Sequence, residues 1–431
     1  MSRDRRDAGS YTVLVTQNYD AIVIGAGPAG STAARKLALG GARVVVLDKA
    51  RFPRDKPCGG GITFRADEAA DIDLSPVTER VIYGVRVSVK LGRSFERTSS
   101  TLLARMTQRS KLDAYLLERA AAAGADVRDS ATVDGLEIDG DTARVTVASD
   151  VYESRIVVGA DGINGVTAKA LGLETMSEPA VAYEANYPLD DRLSDRWSRF
   201  IALDLGGIPG GYGWIFPKGD HLNIGVGGWK YVGPTLRDRL KRLCDYHALD
   251  PAKLFGHRGY QLPLRRDGAP VVRGPAMLAG DAASLVDPLS GEGIWAAFVS
   301  GRLAAEEGLR LLAGTVRDLQ GYSRALEDVM REEIAASRRL QAVFQRLPKA
   351  SILMLKYNDS FWRYMTEIIR GELTYPELPR KLGPLRHIID RWGDAEIWLH
   401  QRELRKRARR NGSGDQSASA DTRSHSSKVS T

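Results

Sequence analysis

The hexapeptide GAGPAG, Gly25 to Gly30, joins two stretches with different apolar periods, and that junction constrains the fold more than any other stretch of the chain. Before it, "YDAIVIG" is a continuous apolar run, the pattern of a strand buried on both faces of a parallel sheet. After it, "STAARKLALGG" reads as a helix that stops at glycines, and "ARVVVLD" supplies a second buried strand. A G-x-G-x-x-G turn in this place reverses the chain at Gly25, lets a pyrophosphate approach the backbone at Gly27, and packs helix against strand at Gly30. The helix N-terminus, with Pro28 and Ala29, offers free N–H groups and a positive dipole end to phosphates. Asp48 closes the second strand eighteen residues after Gly30, where a carboxylate can bind ribose hydroxyls, with Lys49 beside it. Strand, glycines, helix and terminal acid together predict a dinucleotide site.

Two later segments favour FAD over NAD. "VVGADGINGV" places Asp161 and Gly162 straight after an apolar strand. "PAMLAGDAASLVDPLSGEGIWAAFVSGRLAA" ends another strand at Gly280 and Asp281, then turns through glycines into a helix. Gly-Asp after a strand is also ordinary turn chemistry. Yet Asp281 can accept from a ribityl hydroxyl, and the amides of Gly291, Gly293 and Ile294 open a helix whose positive end can stabilise a reduced isoalloxazine. One chain returning three times to one cofactor suits the long FAD molecule.

Elsewhere, "KLDAYLLERAAAAGADV" repeats helix, glycine stop and strand, while "GVRVSVKLGRSFERTS" and "ATVDGLEIDGDTARVTVASDVYESRIVVGADG" read as β-hairpins. The chain is β-rich from about 180 to 265 and helical from Gly293 to about Trp398. At 431 residues and 43% hydrophobic content it can bury a large core in two domains. The net charge of +8 is concentrated in "RELRKRARR", Arg402 to Arg410, with six basic residues against one acid. No finger or RNP motif accompanies it, so no nucleic-acid partner is expected. The first residues lack the apolar core of a signal peptide, and no run reaches the roughly 18 to 20 apolar residues that span a bilayer. Two cysteines, Cys58 and Cys244, are too few for a disulfide framework. A cytoplasmic protein is expected, touching the membrane peripherally if its substrate is a lipid, and no metal site is expected. Cys244 reads as a helix residue.

The three FAD segments, in this order, resemble the fold shared by p-hydroxybenzoate hydroxylase and its relatives over about residues 19 to 310. That resemblance implies FAD contacts from Arg109, which opens the helix after the first hairpin, and from Val133. It implies an α/β fold in which a Rossmann-like FAD-binding domain (19–75, 104–172 and 266–325) is interleaved with a β-sheet substrate domain (76–103 and 173–265). A helical C-terminal region (326–400) follows, with disordered tails at 1–18 and 411–431. "ADGING" departs from the commoner continuation of this fold, in which a serine stands where Gly165 does here.

The chain is more narrowly similar to the geranylgeranyl reductase family. "KPCGGGI" resembles that family's Cys-Gly-Gly loop beside the flavin, which implies cofactor contact for Cys58, Gly59 and Gly61 and makes Cys58 the catalytic candidate. "GYGWIFPKGDHLNIGVG" matches Tyr-x-Trp-x-Phe-Pro, seven residues, then Gly-x-Gly, at Tyr212, Trp214, Phe216, Pro217, Gly225 and Gly227, and "SGEGI" is the third match. The family saturates isolated C=C bonds of isoprenoid chains. Tyr212, Trp214 and Phe216 alternate, so on a strand they share one face, which can line an apolar channel or pack in a core. Flavin-dependent halogenases carry Trp-x-Trp-x-Ile-Pro here, and Tyr212 and Phe216 depart from it. The alternatives are a flavin-dependent aromatic hydroxylase or halogenase acting on a small hydrophobic substrate, and a prenyl-binding escort without redox chemistry.

The reductant is expected to be NADPH or NADH docking transiently, or a ferredoxin-like partner. The isoprenoid stays open among a chlorophyll-type side chain, a quinone tail, an ether lipid and a free prenyl diphosphate. No proton donor stands out. The stretch from about 330 to 400 has three readings: a cap on the tunnel, a contact with the bilayer, or packing against the FAD domain.

Overall fold

The computed structural model describes residues 16–383, 387, 389–399 and 401–402; the C-terminal tail and all but Arg402 of the basic run lie outside the described residues. The apolar run before the glycine turn forms the strand Ala21–Ile24, buried at every position. It pairs in parallel with Val44–Leu47 on one side and with Val157–Gly159 on the other. Asp126–Arg128 extends the sheet beyond the first neighbour, and Ala276–Leu278 beyond the second, both in parallel. A short antiparallel strand, Val272–Arg273, completes the six.

The order of these strands positions the site. Three adjacent parallel strands come from three distant parts of the chain, and their carboxyl ends lead into the Gly25 turn, the Ala160–Gly162 loop and the Gly280–Asp281 turn. Ligands of open α/β sheets bind outside such strand ends. The helix Pro28–Leu39 follows the first turn and packs on the long helix Ile294–Leu312, whose Gly301 lets the Ala29 carbonyl come into contact with it.

A seven-stranded sheet forms the second large layer, in the order Phe255–Arg265, Met176–Pro188, His221–Trp229, Gly211–Pro217, Phe200–Ile208, Gly84–Val89 and Ser94–Thr98. All neighbours are antiparallel except Phe200–Ile208 with Gly84–Val89. A small sheet of Gly61–Thr63, Ala104–Met106 and Arg80–Ile82 lies in the same region of chain as the Cys58 loop. The second expected hairpin region forms a four-stranded sheet with Gly135–Asp139, Thr142–Val147 and Asp150–Ser154. Its last member is Thr16–Asn18, within the stretch expected to be a disordered tail; pairing in parallel with Asp150–Ser154 satisfies its backbone groups.

The helical C-terminal region packs on both layers. Gln320–Arg346 is anchored to the parallel sheet by the buried Tyr322 hydroxyl, which donates to the Leu278 carbonyl at 2.6 Å. Pro348–Tyr357 and Asp359–Arg370 then lie along the other layer, where Trp362 Nε1 donates to the Thr98 carbonyl at 3.0 Å. Among the described residues no helix is long and apolar enough to cross a membrane.

The Ala29–Gly301 contact predicts that Gly301→Val destabilises the protein by about 1–3 kcal/mol, the usual cost of overpacking a filled interior. Thermal unfolding of the two proteins checks this; an unchanged melting temperature would mean that the helices do not pack this way.

Candidate active site

At the glycine turn, Asp48 faces the backbone. Its Oδ2 accepts from the Ala26 amide at 2.7 Å and its Oδ1 from the Ala50 amide at 2.8 Å, so the acid after the second strand holds the turn as well as closing the strand. Arg109, buried in the first turn of its helix, makes a two-pronged pair with Asp113, Nε to Oδ1 at 2.8 Å and Nη2 to Oδ2 at 2.7 Å. Arg54 adds a second cation to the same carboxylate, with Nη1 2.9 Å from Oδ2. A Cβ built on Gly27 would lie 3.7 Å from Arg54 Nη2 and 3.9 Å from Arg109 Nη2. Two guanidiniums that share one fully buried carboxylate leave excess positive charge at a helix N-terminus. That is the complement of a diphosphate, and the turn, Arg54 and Arg109 fit the pyrophosphate of FAD. Arg54, in "RFPRDKP", belongs to no motif and was not among the expected residues.

Along the neighbouring strand ends, Asp161 Oδ2 accepts from the Thr167 amide at 2.9 Å and hydroxyl at 2.8 Å, while its buried Oδ1 has no protein partner. Burial pushes this carboxyl up, against the Thr167 bonds. A Cβ at Gly165 would overlap the same carboxylate, which explains the glycine in place of the commoner serine. Asp281 Oδ2 accepts from Lys56 Nζ at 3.0 Å and from the Tyr260 hydroxyl at 2.8 Å. Burial works to raise the Asp281 carboxyl, but Lys56, Tyr260 and Arg109 outweigh it and hold it below the usual range. Gly291, Gly293 and Ile294 bring the N-terminus of the helix Ile294–Leu312 to the same place.

Lys56, Arg109, Gly162, Tyr260, Asp281 and the helix start at Gly291 to Ile294 border a cavity of about 340 Å³ between the two large sheets. Its other walls are mostly apolar and include Ile82, Val85, Leu103, Met106 and Leu203. The strand register explains the spaced aromatic and glycine motif. Leu203, Trp214, Gly225, Glu184 and Arg258 stand opposite one another across five strands, so all five project from one face, and the four that bear side chains line the cavity. Gly225 leaves the space in which the Trp214 indole lies, since a Cβ there would overlap the ring. Trp214 Nε1 donates to Asn223 Oδ1 at 2.8 Å, which sets the ring's tilt.

The Cys58 loop runs over this face. A Cβ on Gly59 would come within 2.8 Å of the Phe216 ring, so the bare backbone allows close packing on the aromatic strand. Cys58 lines the cavity, its Sγ accepts from the Gly60 amide at 3.3 Å, and its own amide donates to Glu184 Oε1 at 3.0 Å. Lys218, buried directly after the motif proline, donates from Nζ to the Gly59 carbonyl. Burial pushes that amine down to about 8, against the pull of the nearby Glu79 and Glu184. Glu184 is the carboxyl of the apolar floor. Burial pushes it up, and the Cys58 amide, Asn223, Lys218 and Arg258 oppose the shift without cancelling it. A buried carboxyl raised in this way, at the wall of a cleft, is suited to general-acid work there. Glu184 and Lys218 sit on strands or strand ends with no sequence motif of their own beyond the neighbouring aromatic stretch, so neither was expected.

Gly27, Pro28, Ala29, Cys58, Gly59, Gly61, Arg109, Gly162, Tyr212, Trp214, Phe216, Gly227, Gly280 and Asp281 line the cavity with the three residues at the later helix start. Gly25, Gly30, Asp48, Asp161, Pro217 and Gly225 lie behind its wall. Lys49 is exposed, and Val133 is buried in the core of the parallel-sheet layer; neither lines the cavity.

Residues 18–199 match the family described as FAD binding domain. The chain is 34% identical to the geranylgeranyl diphosphate reductase of Rhodobacter capsulatus over 326 residues, 70% of this chain and 78% of that protein. It is 34% identical to the menaquinone reductase of Mycolicibacterium smegmatis over 362 residues, 77% of this chain and 85% of that protein. The crystal structure of a geranylgeranyl bacteriochlorophyll reductase-like protein from Thermoplasma acidophilum has the same fold, with a TM-score of 0.72 at 23% identity over 86% of this chain and 100% of that one.

The pyrophosphate cradle predicts that Arg54→Ala weakens FAD binding by about tenfold or more, the effect of losing a charge-assisted hydrogen bond worth roughly 1.5–3 kcal/mol. Fluorescence titration of the flavin-free protein with FAD measures it, and an unchanged affinity would place Arg54 outside the cradle.

Proposed function

The chain belongs to the geranylgeranyl reductase family of FAD-dependent oxidoreductases, and we propose that it saturates C=C double bonds in a long isoprenoid chain lying on the aromatic face of the cavity. The observation that carries this reading is an apolar floor of Trp214 and Leu203 interrupted by one buried carboxyl, Glu184, which burial pushes up. Geranylgeranyl diphosphate and menaquinone, the molecules in the relatives' names, have different head groups and share a polyisoprenoid chain. An apolar floor recognises that shared part.

When bound and reduced, FAD would supply the two electrons as hydride. An isolated alkene is a poor hydride acceptor, because nothing delocalises the charge that develops on its second carbon. The protein's own contribution is therefore alignment, exclusion of water and a proton. Tyr212, Trp214 and Phe216 give the chain a broad contact face. The Cys58 loop, pinned by Lys218 through the Gly59 carbonyl, closes one side. Glu184 gives its proton to the alkene carbon opposite the hydride, and the carboxylate left behind is stabilised by the Cys58 amide, Asn223, Lys218 and Arg258. The reducing electrons would come from a donor that docks from outside, NADPH or NADH or a ferredoxin-like protein.

The test uses flavin-loaded protein reduced with dithionite without oxygen, then mixed with a geranylgeranyl compound or with oxygenated buffer. Reoxidation by the prenyl compound, with a mass gain of two hydrogens per double bond, is the expected result. Reoxidation by oxygen alone, with the alkene mass unchanged, would sink the reductase reading. Glu184→Gln is expected to keep FAD and slow alkene reduction by about 10²–10⁴, the usual worth of a positioned acid. In the wild type the rate should fall as pH rises through the raised carboxyl's titration, since the acid form is the active one, and that fall should vanish in the variant. Cys58→Ala is expected to keep FAD while losing much of the turnover; unchanged turnover would remove the thiol from the mechanism.

A further inference from the structure

The helix Pro348–Tyr357 begins against the sheet, where a Cβ on Gly206 would come within 2.8 Å of the Pro348 ring. Ser351, Ile352 and Leu355 are its buried side. Its other side holds large apolar residues in solvent: Leu353 is 56% and Tyr357 69% exposed, and Leu347, just before the helix, is 37% exposed. Lys349, Leu353 and Tyr357 are four residues apart and share one stripe. Arg346 and Lys349 are exposed beside them. Lys356 Nζ lies 4.7 Å from the Tyr357 ring centroid and 5.9 Å from that of Phe95. From Gln341 to Asn358 the chain carries Arg346, Lys349 and Lys356 and no acid. The next acid, Asp359, is paired with Arg97 at 2.7 Å.

A second, smaller cavity of about 50 Å³ lies under this helix, between Phe344, Pro348 and Ile352 and the strand residue Leu205. Gly211, Tyr212 and Leu289 line both cavities, so the two share a wall that includes Tyr212, whose hydroxyl donates to the Ser290 carbonyl. The smaller cavity thus lies between the main one and the foot of an exposed helix whose outer face is apolar, aromatic and cationic. That combination suits the boundary between acyl chains and anionic headgroups.

We infer that the outer face of the Pro348–Tyr357 helix docks on an anionic lipid bilayer, and that the substrate is a membrane-resident prenyl lipid whose chain enters beside Pro348 and Ile352 and passes Tyr212 to the main cavity. The entry route rests on the isoprenoid reading above; the docking face rests on the exposed helix. Leu353 and Tyr357 sink toward the acyl boundary while Arg346, Lys349 and Lys356 stay at headgroup level. A soluble protein partner is the other occupant this face could take, and the charge pattern favours lipid because no acid interrupts the cations.

The test sediments the flavin-loaded full chain with vesicles of phosphatidylcholine alone and of phosphatidylcholine mixed with phosphatidylglycerol. Binding is expected to the mixed vesicles and to weaken with added salt, as surface charges are screened. Arg346→Glu with Lys349→Glu should lower it about tenfold or more, since each basic residue at an anionic surface is worth about a fivefold preference. Leu353→Glu with Tyr357→Glu should lower it similarly, and Leu353→Ser, a milder change at an exposed site, in the same direction. The flavin spectrum checks that each variant is folded. Wild-type protein that stays in the supernatant, or variants that bind as the wild type does, would overturn the docking face; the second result would assign lipid binding elsewhere, as to the basic run after residue 402. Reduction of a short, water-soluble prenyl alcohol, run in parallel, separates the two readings. Alkene reduction without vesicle binding removes the docking face alone. Vesicle binding lost in the variants, with no alkene reduced by any protein, keeps the docking face and removes the isoprenoid route.

Discussion

Backbone pairing among Ala21–Ile24, Val157–Gly159 and Ala276–Leu278 is the constraint on which the rest depends. Each strand is three or four residues long, and the three come from widely separated parts of the chain. Because they run parallel and adjacent, the loops that leave them converge on one side of the sheet. The glycine turn, the Asp161 loop and the Asp281 turn therefore meet although more than a hundred residues separate each from the next. The helix pair Pro28–Leu39 and Ile294–Leu312 reinforces that geometry from one face, with close approach at Ala29 and Gly301. Small residues matter here because the two backbones must come near enough to aim both helix N-termini at one ligand.

The second consequence is a division of charge between two regions of the cleft. At the strand ends, Arg54, Arg109, Asp113, Lys56 and Asp281 form ion pairs in partly or fully buried surroundings, and such pairs are tolerated when hydrogen bonds satisfy them. The antiparallel floor is different. Most of its side chains are aromatic or aliphatic, and its polar members are few: Glu184, Asn223, Arg258 and, behind the loop, Lys218. Burial raises the carboxyl and lowers the amine, so both move toward their neutral forms. Isolated charges in such a place would cost several kcal/mol. A neutral carboxyl is the form that can give away a proton, so the desolvation that makes the floor apolar also shifts Glu184 toward the form that the proposed reduction requires.

Local features of the fold were legible in the sequence where the period of apolar residues is decided by a single element. "YDAIVIG" and "ARVVVLD" became buried parallel strands, "KLDAYLLERAAAAGADV" became a helix from Arg109 to Ala122 followed by a strand, and "GVRVSVKLGRSFERTS" became an antiparallel pair. Thr16–Asn18 was not legible as a strand, because three polar residues have no period and take their conformation from the edge of another strand. Among site residues, the glycine turn and the aromatic triplet were legible because each is a short motif with its own geometry. Arg54, Glu184 and Lys218 were not, since each belongs to a segment that is unremarkable until another segment is laid across it.

The sequence by itself determined the strand–turn–helix at Gly25 to Gly30, the recurrence of glycine and acid after two later strands, and the one-faced alternation of Tyr212, Trp214 and Phe216. Those are short-range properties, set by side-chain volume, backbone freedom and the two-residue period of a strand. Only the tertiary structure decided that Glu184 stands opposite Gly225 and Gly225 opposite Trp214, that Arg54 joins Arg109 on Asp113, and that Tyr212 lies in the wall between two neighbouring cavities. The physical reason is register. A shift of one residue between Met176–Pro188 and His221–Trp229 would turn Glu184 to the other face, and nothing local to either strand forbids it. The packing of the whole sheet against the parallel layer does.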